Sequence, residues 1–191
     1  MNPMDTLASA RYAFCAGWPA SLAAAALILT ASAHAAEGNQ LRLGQLPQQW
    51  LDDQGKTLSL GALGGHRLIL SMSYSQCHHT CPTTLARLRR MQAALDGRNE
   101  PASFVIVGYD PDQDSPANWR QYRANRRLER SNWYFLTGSR HNVRQLAHQL
   151  GFEFWVYDTH VLHDPRIVVF NDQGSISATL TDASGDWLAS K

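Results

Sequence analysis

Short apolar runs alternate with stretches of helical periodicity after residue 40, and this order constrains the fold more than any other feature. The runs predict buried strands at 67–73, 103–109, 133–136, 167–170 and 175–180. The stretches between them predict helices at 82–97, 116–127 and 139–150. Because strands joined through helices pair in parallel, we expect an α/β fold with a mostly parallel sheet and helices on both faces. The turn at 171–174 predicts an antiparallel hairpin at the edge of the sheet.

The first 35 residues have the composition of an export signal. A short polar start with Arg11 precedes an apolar stretch at 18–29, and the tripeptide AHA at 33–35 fits a signal-peptidase site. The apolar stretch is shorter than the roughly 20 residues that a transmembrane helix needs. We therefore expect residues 1–35 to be a signal peptide, with an uncleaved anchor as the alternative, and residues 36–191 to form one exported domain. Its expected location is the periplasm, or the periplasmic face of the inner membrane if the segment anchors it.

The low net charge of the chain argues against two classes of binding partner. The formal net charge is only +1, which argues against nucleic acid or an acidic membrane surface as the main partner. Arginines cluster at 87–90 and 120–130, and solvated helix faces explain both clusters. We expect no nucleic-acid partner, and a membrane contact only through an uncleaved N-terminal segment.

Two cysteines remain after the predicted signal peptide, Cys77 and Cys81, in the segment YSQCHHTCP. In an oxidising compartment a pair this close can form a disulfide or share a metal ligand. A disulfide across so short a loop would stabilise the fold little, so a switching role suits the pair better than a structural one. Cys77 follows the first central strand, and ligands of such sheets bind at the carboxyl ends of the strands.

The position of Cys81 favours thiolate chemistry. If the helix begins near Thr80, Cys81 lies in its first turn, where the helix dipole lowers the pKa of a thiol. A thiolate is both a nucleophile and a metal ligand. Two thiolates and one imidazole would suit copper(I), tolerate copper(II) and could also hold zinc. The residues themselves thus leave a metal site, a redox pair and a structural disulfide or zinc site open.

A third ligand would come from the histidines after the signal peptide, which are His66, His78, His79, His141, His148, His160 and His163. The two on the predicted helix 139–150 are interpreted as surface or packing residues, and His66 as a loop residue. His78 and His79 lie between the cysteines and are interpreted as loop imidazoles, with ligation as the weaker alternative. His160 and His163 precede the fourth strand, at the edge expected to face the cysteine loop.

Four segments in one order resemble a known family. They are YSQCHHTCPTTL, VGYDPDQDSPANWRQY, FLTGS and HDPRIVVFNDQG. From about residue 41 to 181 the chain resembles the Sco/SenC family, thioredoxin-like copper proteins that help metallate the dinuclear copper centre of cytochrome oxidase. The segments are similar to the family's CxxxCP, VDPxxDTPxxLxxY and LTG patterns, and to its histidine eleven residues before the glycine of the last hairpin. That spacing selects His163, not His160.

The resemblance implies a thioredoxin-like fold and a set of site residues. Cys77, Cys81 and His163 would ligate copper, and the cysteines would also form a redox-active pair able to close into a disulfide. The implied function is a metallochaperone that serves a copper-site apo-protein such as a cytochrome oxidase subunit. The alternative is an exported thiol–disulfide oxidoreductase that acts through the same cysteines on an exchange partner.

Two departures from the family pattern and one acidic turn leave further alternatives open. His78 stands where the family usually has a proline, so it could compete as a ligand. Pro165 resembles the cis-proline of thioredoxin-type oxidoreductases, and either a cis or a trans Asp164–Pro165 bond is compatible with the sequence. The aspartates at 110, 112 and 114 are interpreted as turn and helix-capping residues, with an acidic contact near the site as the alternative.

Overall fold

Every predicted strand and helix after residue 60 is present in the computed structural model, which describes residues 41–76, 80–157 and 160–181. The described residues belong to one compact unit, Gln40–Lys191. The strands are β1 Trp50–Leu51, β2 Thr57–Leu58, β3 Arg67–Ser73, β4 Ala102–Gly108, β5 Trp133–Leu136, β6 Phe154–Tyr157, β7 His160–His163, β8 Ile167–Phe170 and β9 Ile176–Leu180. The α-helices are α1 Thr80–Gly97, α2 Pro116–Asn125 and α3 Arg140–Leu150.

Five strands form the central sheet in the order β5-β4-β3-β8-β9. β3 pairs in parallel with β4, and β4 pairs in parallel with β5. β8 runs antiparallel to β3, and β9 antiparallel to β8. The expected α/β fold with an antiparallel edge hairpin is confirmed, but the sheet is mixed rather than mostly parallel. β8 alone runs opposite to the other four strands, so both of its pairings are antiparallel and the other two are parallel.

Alternate residues of the central strands feed two separate cores. One face, with Leu70 and Val105, packs against α3 and the N-terminal segment around Trp50. The other face, with Ile69 and Phe104, packs against α1 and α2. Strands that are apolar on both faces read as continuous apolar runs, which is why they were recognisable in the sequence. The prediction of helices on both faces is confirmed.

Local signals set the ends of two helices. Ser115 and Ser139 cap α2 and α3, and each side chain accepts a hydrogen bond from the backbone N–H three residues later. α3 ends at Leu150, and the residue that follows it, Gly151, has a positive φ of 70° that suits glycine. α2 stops at Asn125, two residues before the predicted end, because Arg127 takes a positive φ of 53°.

Two hairpins flank the sheet. The sequence DDQG at 52–55 predicts a turn, and β1 and β2 pair across it as an antiparallel ribbon. The hairpin of β6 and β7 was not predicted, and its strands pair with each other, Phe154 opposite His163. Its side chains Trp155 and Leu162 are exposed, so the segment lacks the clear alternation by which a half-buried strand is recognised in sequence.

The predicted signal peptide at 1–35 lies outside the described residues. Within the described ranges, no helix is long and apolar enough to cross a membrane.

Candidate metal centre

The chain that leads to Cys77 leaves the carboxyl end of β3. β3 ends at Ser73, and Tyr74 and Ser75 after it are buried. Cys77, His78 and His79 lie outside the described residues. α1 begins at Thr80, so Cys81 is its second residue, and the backbone alone is described there. The strand end and the helix start therefore lie where the sequence predicted them around the two cysteines.

His163 is brought to the same edge of the sheet by an aromatic contact. It is the last residue of β7, and its ring lies against Tyr109, with ring centroids 4.8 Å apart. Tyr109 directly follows β4, and its backbone N–H donates to the carbonyl of Ser73 at 3.0 Å. Tyr109 also contacts Phe154, the residue opposite His163 in the hairpin. His163 thus lies at the ends of β3 and β4, beside the strand that leads to Cys77.

A hydrogen bond orients the half-buried imidazole of His163. Its Nδ1 lies 2.9 Å from the backbone carbonyl of Asp164, which can only accept. Nδ1 therefore carries the proton in this geometry, and Nε2 carries the lone pair that a metal ion requires. A metal-ligating histidine usually donates its other ring N–H to an acceptor such as a backbone carbonyl, as His163 does here.

The other candidate histidines are less well defined by the structure. The backbone of His160 starts β7, three residues before His163, and its side chain lies outside the described part of the chain. His141 and His148 are exposed on α3, as expected for surface residues. Among the residues that the structure describes, no group of three or more His, Cys, Asp or Glu could hold a metal ion.

Asp114 is the residue at this edge that sequence reasoning misjudged. It is fully buried, and its carboxylate accepts hydrogen bonds from the backbone N–H groups of Ser75, at 2.7 Å, and Asp110, at 2.9 Å. Burial raises the pKa of this carboxyl to about 6, and the two N–H donors offset part of the shift. An aspartate in a polar turn predicts a solvated cap, so nothing in its immediate sequence indicated burial.

The two other aspartates of the turn behave as predicted turn residues. The side chain of Asp110 accepts from the backbone N–H of Asp112, two residues on, and Asp112 forms an ion pair with Arg140. Neither caps α2, because that role belongs to Ser115.

The alternative of a cis bond before Pro165 is wrong. No cis peptide bond occurs in the described ranges, which include Asp164–Pro165. Asp164 instead pairs with Arg166 at 3.0 Å, and its backbone N–H donates to the carbonyl of Glu153 at the base of the β6–β7 hairpin.

A family model for SCO1/SenC proteins matches residues 39–187. The chain belongs to the SCO1/SenC family. The resemblance drawn from the four sequence segments is thereby confirmed, over a slightly longer range than those segments covered.

Relatives of the SCO1/SenC chain share moderate sequence identity with it. A SCO1 protein homolog from Bacillus subtilis is 28% identical over 102 residues, which are 53% of each chain. A putative copper-binding protein from Stutzerimonas stutzeri is 28% identical over 138 residues, 69% of this chain and 66% of the relative. The chain therefore spans about half the length of the first of these relatives and about two thirds of the second.

Solved structures of Sco proteins share the fold. Yeast Sco1 with copper bound aligns with a TM-score of 0.64 and 21% identity over 75% of this chain and 82% of that one. BsSco, described as a member of the Sco family of cytochrome c oxidase assembly proteins in which a disulfide switch was identified, aligns with a TM-score of 0.63 and 23% identity over 78% and 88%. The thioredoxin-like fold implied by the resemblance is confirmed.

Proposed function

We propose that the protein is a copper-binding metallochaperone of the Sco/SenC type, which carries copper as cargo on Cys77, Cys81 and His163. One observation carries most of the weight. The imidazole of His163 is packed against Tyr109 at the end of β4, beside the strand that leads to Cys77, with Nδ1 bound to a carbonyl. A histidine from a distant part of the sequence thereby lies at the sheet edge from which the chain leads to Cys77.

The donor set suits copper chemistry. Thiolates are soft ligands that favour copper(I), and imidazole also accepts copper(II), so the three side chains could hold either oxidation state. The backbone of Cys81 lies in the first turn of α1, a position where the dipole of a helix favours the thiolate that ligation requires. The copper-binding description of the Stutzerimonas stutzeri relative and the copper-bound structure of yeast Sco1 support the same cargo.

The client in this proposal is an apo-protein with a copper site, such as a cytochrome oxidase subunit. The family description given for BsSco supports that class of client. The protein would deliver copper to the site or reduce its cysteines before loading. Export through the predicted signal segment at 1–35 would place this work outside the cytoplasm, in the periplasm or at the periplasmic face of the inner membrane.

The proposed function predicts about one copper ion per reduced chain. Copper(II) should add a thiolate-to-copper charge-transfer absorption, because it would be bound directly by sulfur. The measurement is copper titration of the reduced protein with metal analysis and visible spectroscopy. The matched control is the same protein oxidised to the Cys77–Cys81 disulfide, which should neither bind copper nor show the band. Equal binding by both forms would rule out ligation by the thiols.

A second candidate function is thiol–disulfide exchange. The position of Cys81 in the first turn of α1 favours it, because exchange requires a thiolate. One thiolate of the pair would attack a client disulfide, forming a mixed disulfide and releasing one client thiolate. The other cysteine would then attack the mixed disulfide, which frees the second client thiolate and leaves the Cys77–Cys81 disulfide. The client gains two electrons and the protein loses two.

Single cysteine variants test this second candidate. One of the variants Cys77→Ser and Cys81→Ser lacks the resolving thiol and keeps the attacking one. That variant should accumulate a covalent adduct with a client disulfide, because the mixed disulfide forms but is not released. The adduct should be visible by non-reducing electrophoresis and should vanish with dithiothreitol. The double serine variant is the control. If neither single variant forms an adduct with an accessible model disulfide, the exchange role fails while copper transport still stands.

A further inference from the structure

A buried hydrogen-bond cluster lies at the carboxyl ends of β3, β4 and β5, next to the chain that leads to Cys77. Its central residue is Asp114, which is fully buried. Asp114 is neither a proposed metal ligand nor a proposed redox residue. We propose that Asp114 is a positioning residue for the metal site, because its carboxylate fixes the chain that runs from β3 to Cys77. The proposal rests on the proposed function for the roles of Cys77, Cys81 and His163.

Asp114 joins the segments that follow three neighbouring strands. Its Oδ1 accepts from the N–H of Ser75, two residues after β3, and its Oδ2 accepts from the N–H of Asp110, two residues after β4. The hydroxyl of Thr137, which directly follows β5, donates to the backbone carbonyl of Asp114. The carboxyl ends of β3, β4 and β5 are therefore tied together through one side chain and its own carbonyl.

The connection to the cysteine is short. Cys77 follows Ser75 by two residues, and two residues of extended chain span at most about 7 Å. Ser75 is bound twice, since its hydroxyl also lies 3.4 Å from the carbonyl of Gln113. A fixed N–H at Ser75 therefore defines the point from which the chain leaves for the first cysteine.

The surrounding chain makes room for this carboxylate. A Cβ added at Gly108, the last residue of β4, would lie 2.5 Å from Cβ and 2.7 Å from Oδ2 of Asp114. Side chains at the end of β4 are thus excluded from the space that the carboxylate uses. Gly108 has no positive φ that would demand glycine, so the close approach of Asp114 accounts for the residue at this position.

The burial of this carboxylate costs free energy. Its pKa is raised to about 6, which means that the ionised group is less favourable in the folded chain than in water. An apolar residue would avoid that penalty, but it could not accept two backbone N–H groups at once. The structure thus retains a costly group, and one of its two hydrogen bonds ends on the chain that leads to Cys77.

Two variants separate position from charge. Asp114→Asn keeps the size of the side chain but presents an NH2 group where one backbone N–H now donates, so at least one anchor is lost. Thr137→Val keeps the carboxylate and its charge and removes the hydroxyl that fixes the Asp114 backbone. Changes in the outer shell of a metal site usually cost 10–100-fold in affinity. We expect about a 10-fold loss of copper(I) affinity for Asp114→Asn and about a 3-fold loss for Thr137→Val.

Asp53→Asn is the matched control. Asp53 is a buried carboxylate in the turn between β1 and β2, and it pairs with Arg123 of α2 rather than with the chain to Cys77. The full-length reduced proteins should be compared by competition with a chromophoric copper(I) chelator. The equilibrium of the Cys77–Cys81 pair with glutathione should be measured without copper. Asp114→Asn should shift that equilibrium at least about 3-fold, and Asp53→Asn should leave both quantities unchanged.

The outcomes distinguish this proposal from the proposed function. Wild-type copper affinity and wild-type thiol equilibrium in both Asp114→Asn and Thr137→Val would overturn the positioning role. An equal change in Asp53→Asn would also overturn it, because general destabilisation would then explain the effect. If the wild-type protein binds no copper, the proposed function fails, and the thiol equilibrium alone decides whether Asp114 positions the cysteine chain.

Discussion

His163→Ala should lower the copper affinity of the reduced protein by at least about 100-fold, more than the 10–100-fold typical of outer-shell changes. The variant removes Nε2. This nitrogen has a free lone pair because Nδ1 carries the proton that is donated to the Asp164 carbonyl. The copper(II) charge-transfer band should also change in energy and intensity, because only sulfur ligands and solvent would remain. Affinity is measured by chelator competition, and the band by visible absorption.

His141→Ala is the control for this experiment. His141 is an exposed histidine on α3, so its loss removes an imidazole without touching the edge of the sheet that holds His163. We expect wild-type affinity and an unchanged band. If His163→Ala behaves like this control, His163 is not a ligand. His78→Ala, His79→Ala and His160→Ala then identify which of the weaker candidates supplies the imidazole.

Asp114 should make the folded protein less stable as the pH rises from about 4 to about 6. In the unfolded chain the carboxyl ionises near its ordinary pKa of 3.8, whereas burial raises the pKa in the folded chain to about 6. Between these values the folded state binds more protons than the unfolded state, so stability falls with rising pH. A shift of this size corresponds to roughly 3 kcal/mol of unfolding free energy over the complete titration, of which roughly 2 kcal/mol falls between pH 4 and pH 6.

The variant Asp114→Asn isolates this contribution. Asparagine does not titrate, so the difference in unfolding free energy between variant and wild type should move in favour of the variant by roughly 2 kcal/mol from pH 4 to pH 7. The histidines and other carboxyls titrate in both proteins and cancel in the difference. Urea unfolding of the metal-free proteins at several pH values measures it. A difference that stays constant with pH would show that Asp114 keeps an ordinary pKa.

The sheet was predictable because its strands are buried on both faces. β3, β5 and β8 have the predicted bounds, and the ends of β4 differ from prediction by one residue. The β6–β7 hairpin escaped notice because two of its central positions, Trp155 and Leu162, place large apolar groups in solvent. Periodicity reports which side chains are buried, and it fails where apolar residues are exposed.

The candidate site was predictable only in part, because its members come from distant segments. The cysteines stand out in the sequence, but the choice of His163 over His160 depended on the family resemblance. Neither the contact with Tyr109 nor the bond to the Asp164 carbonyl has a local signature. The burial of Asp114 was also beyond sequence reasoning, since it follows from the absence of a side chain at Gly108, six residues earlier.

The attachment of His163 has a consequence for how quickly the protein could release a metal ion. Among the described strands, β6 and β7 form a ladder only with each other and none with the central sheet. Ring packing on Tyr109, worth about 1 kcal/mol beyond burial, is one of the contacts that place the imidazole at the sheet edge. Moving this ribbon away breaks no ladder hydrogen bond of the central sheet. Under the proposed function, His163 could then leave the metal ion while the backbone of Cys81 stays in α1, which would favour stepwise transfer to a client.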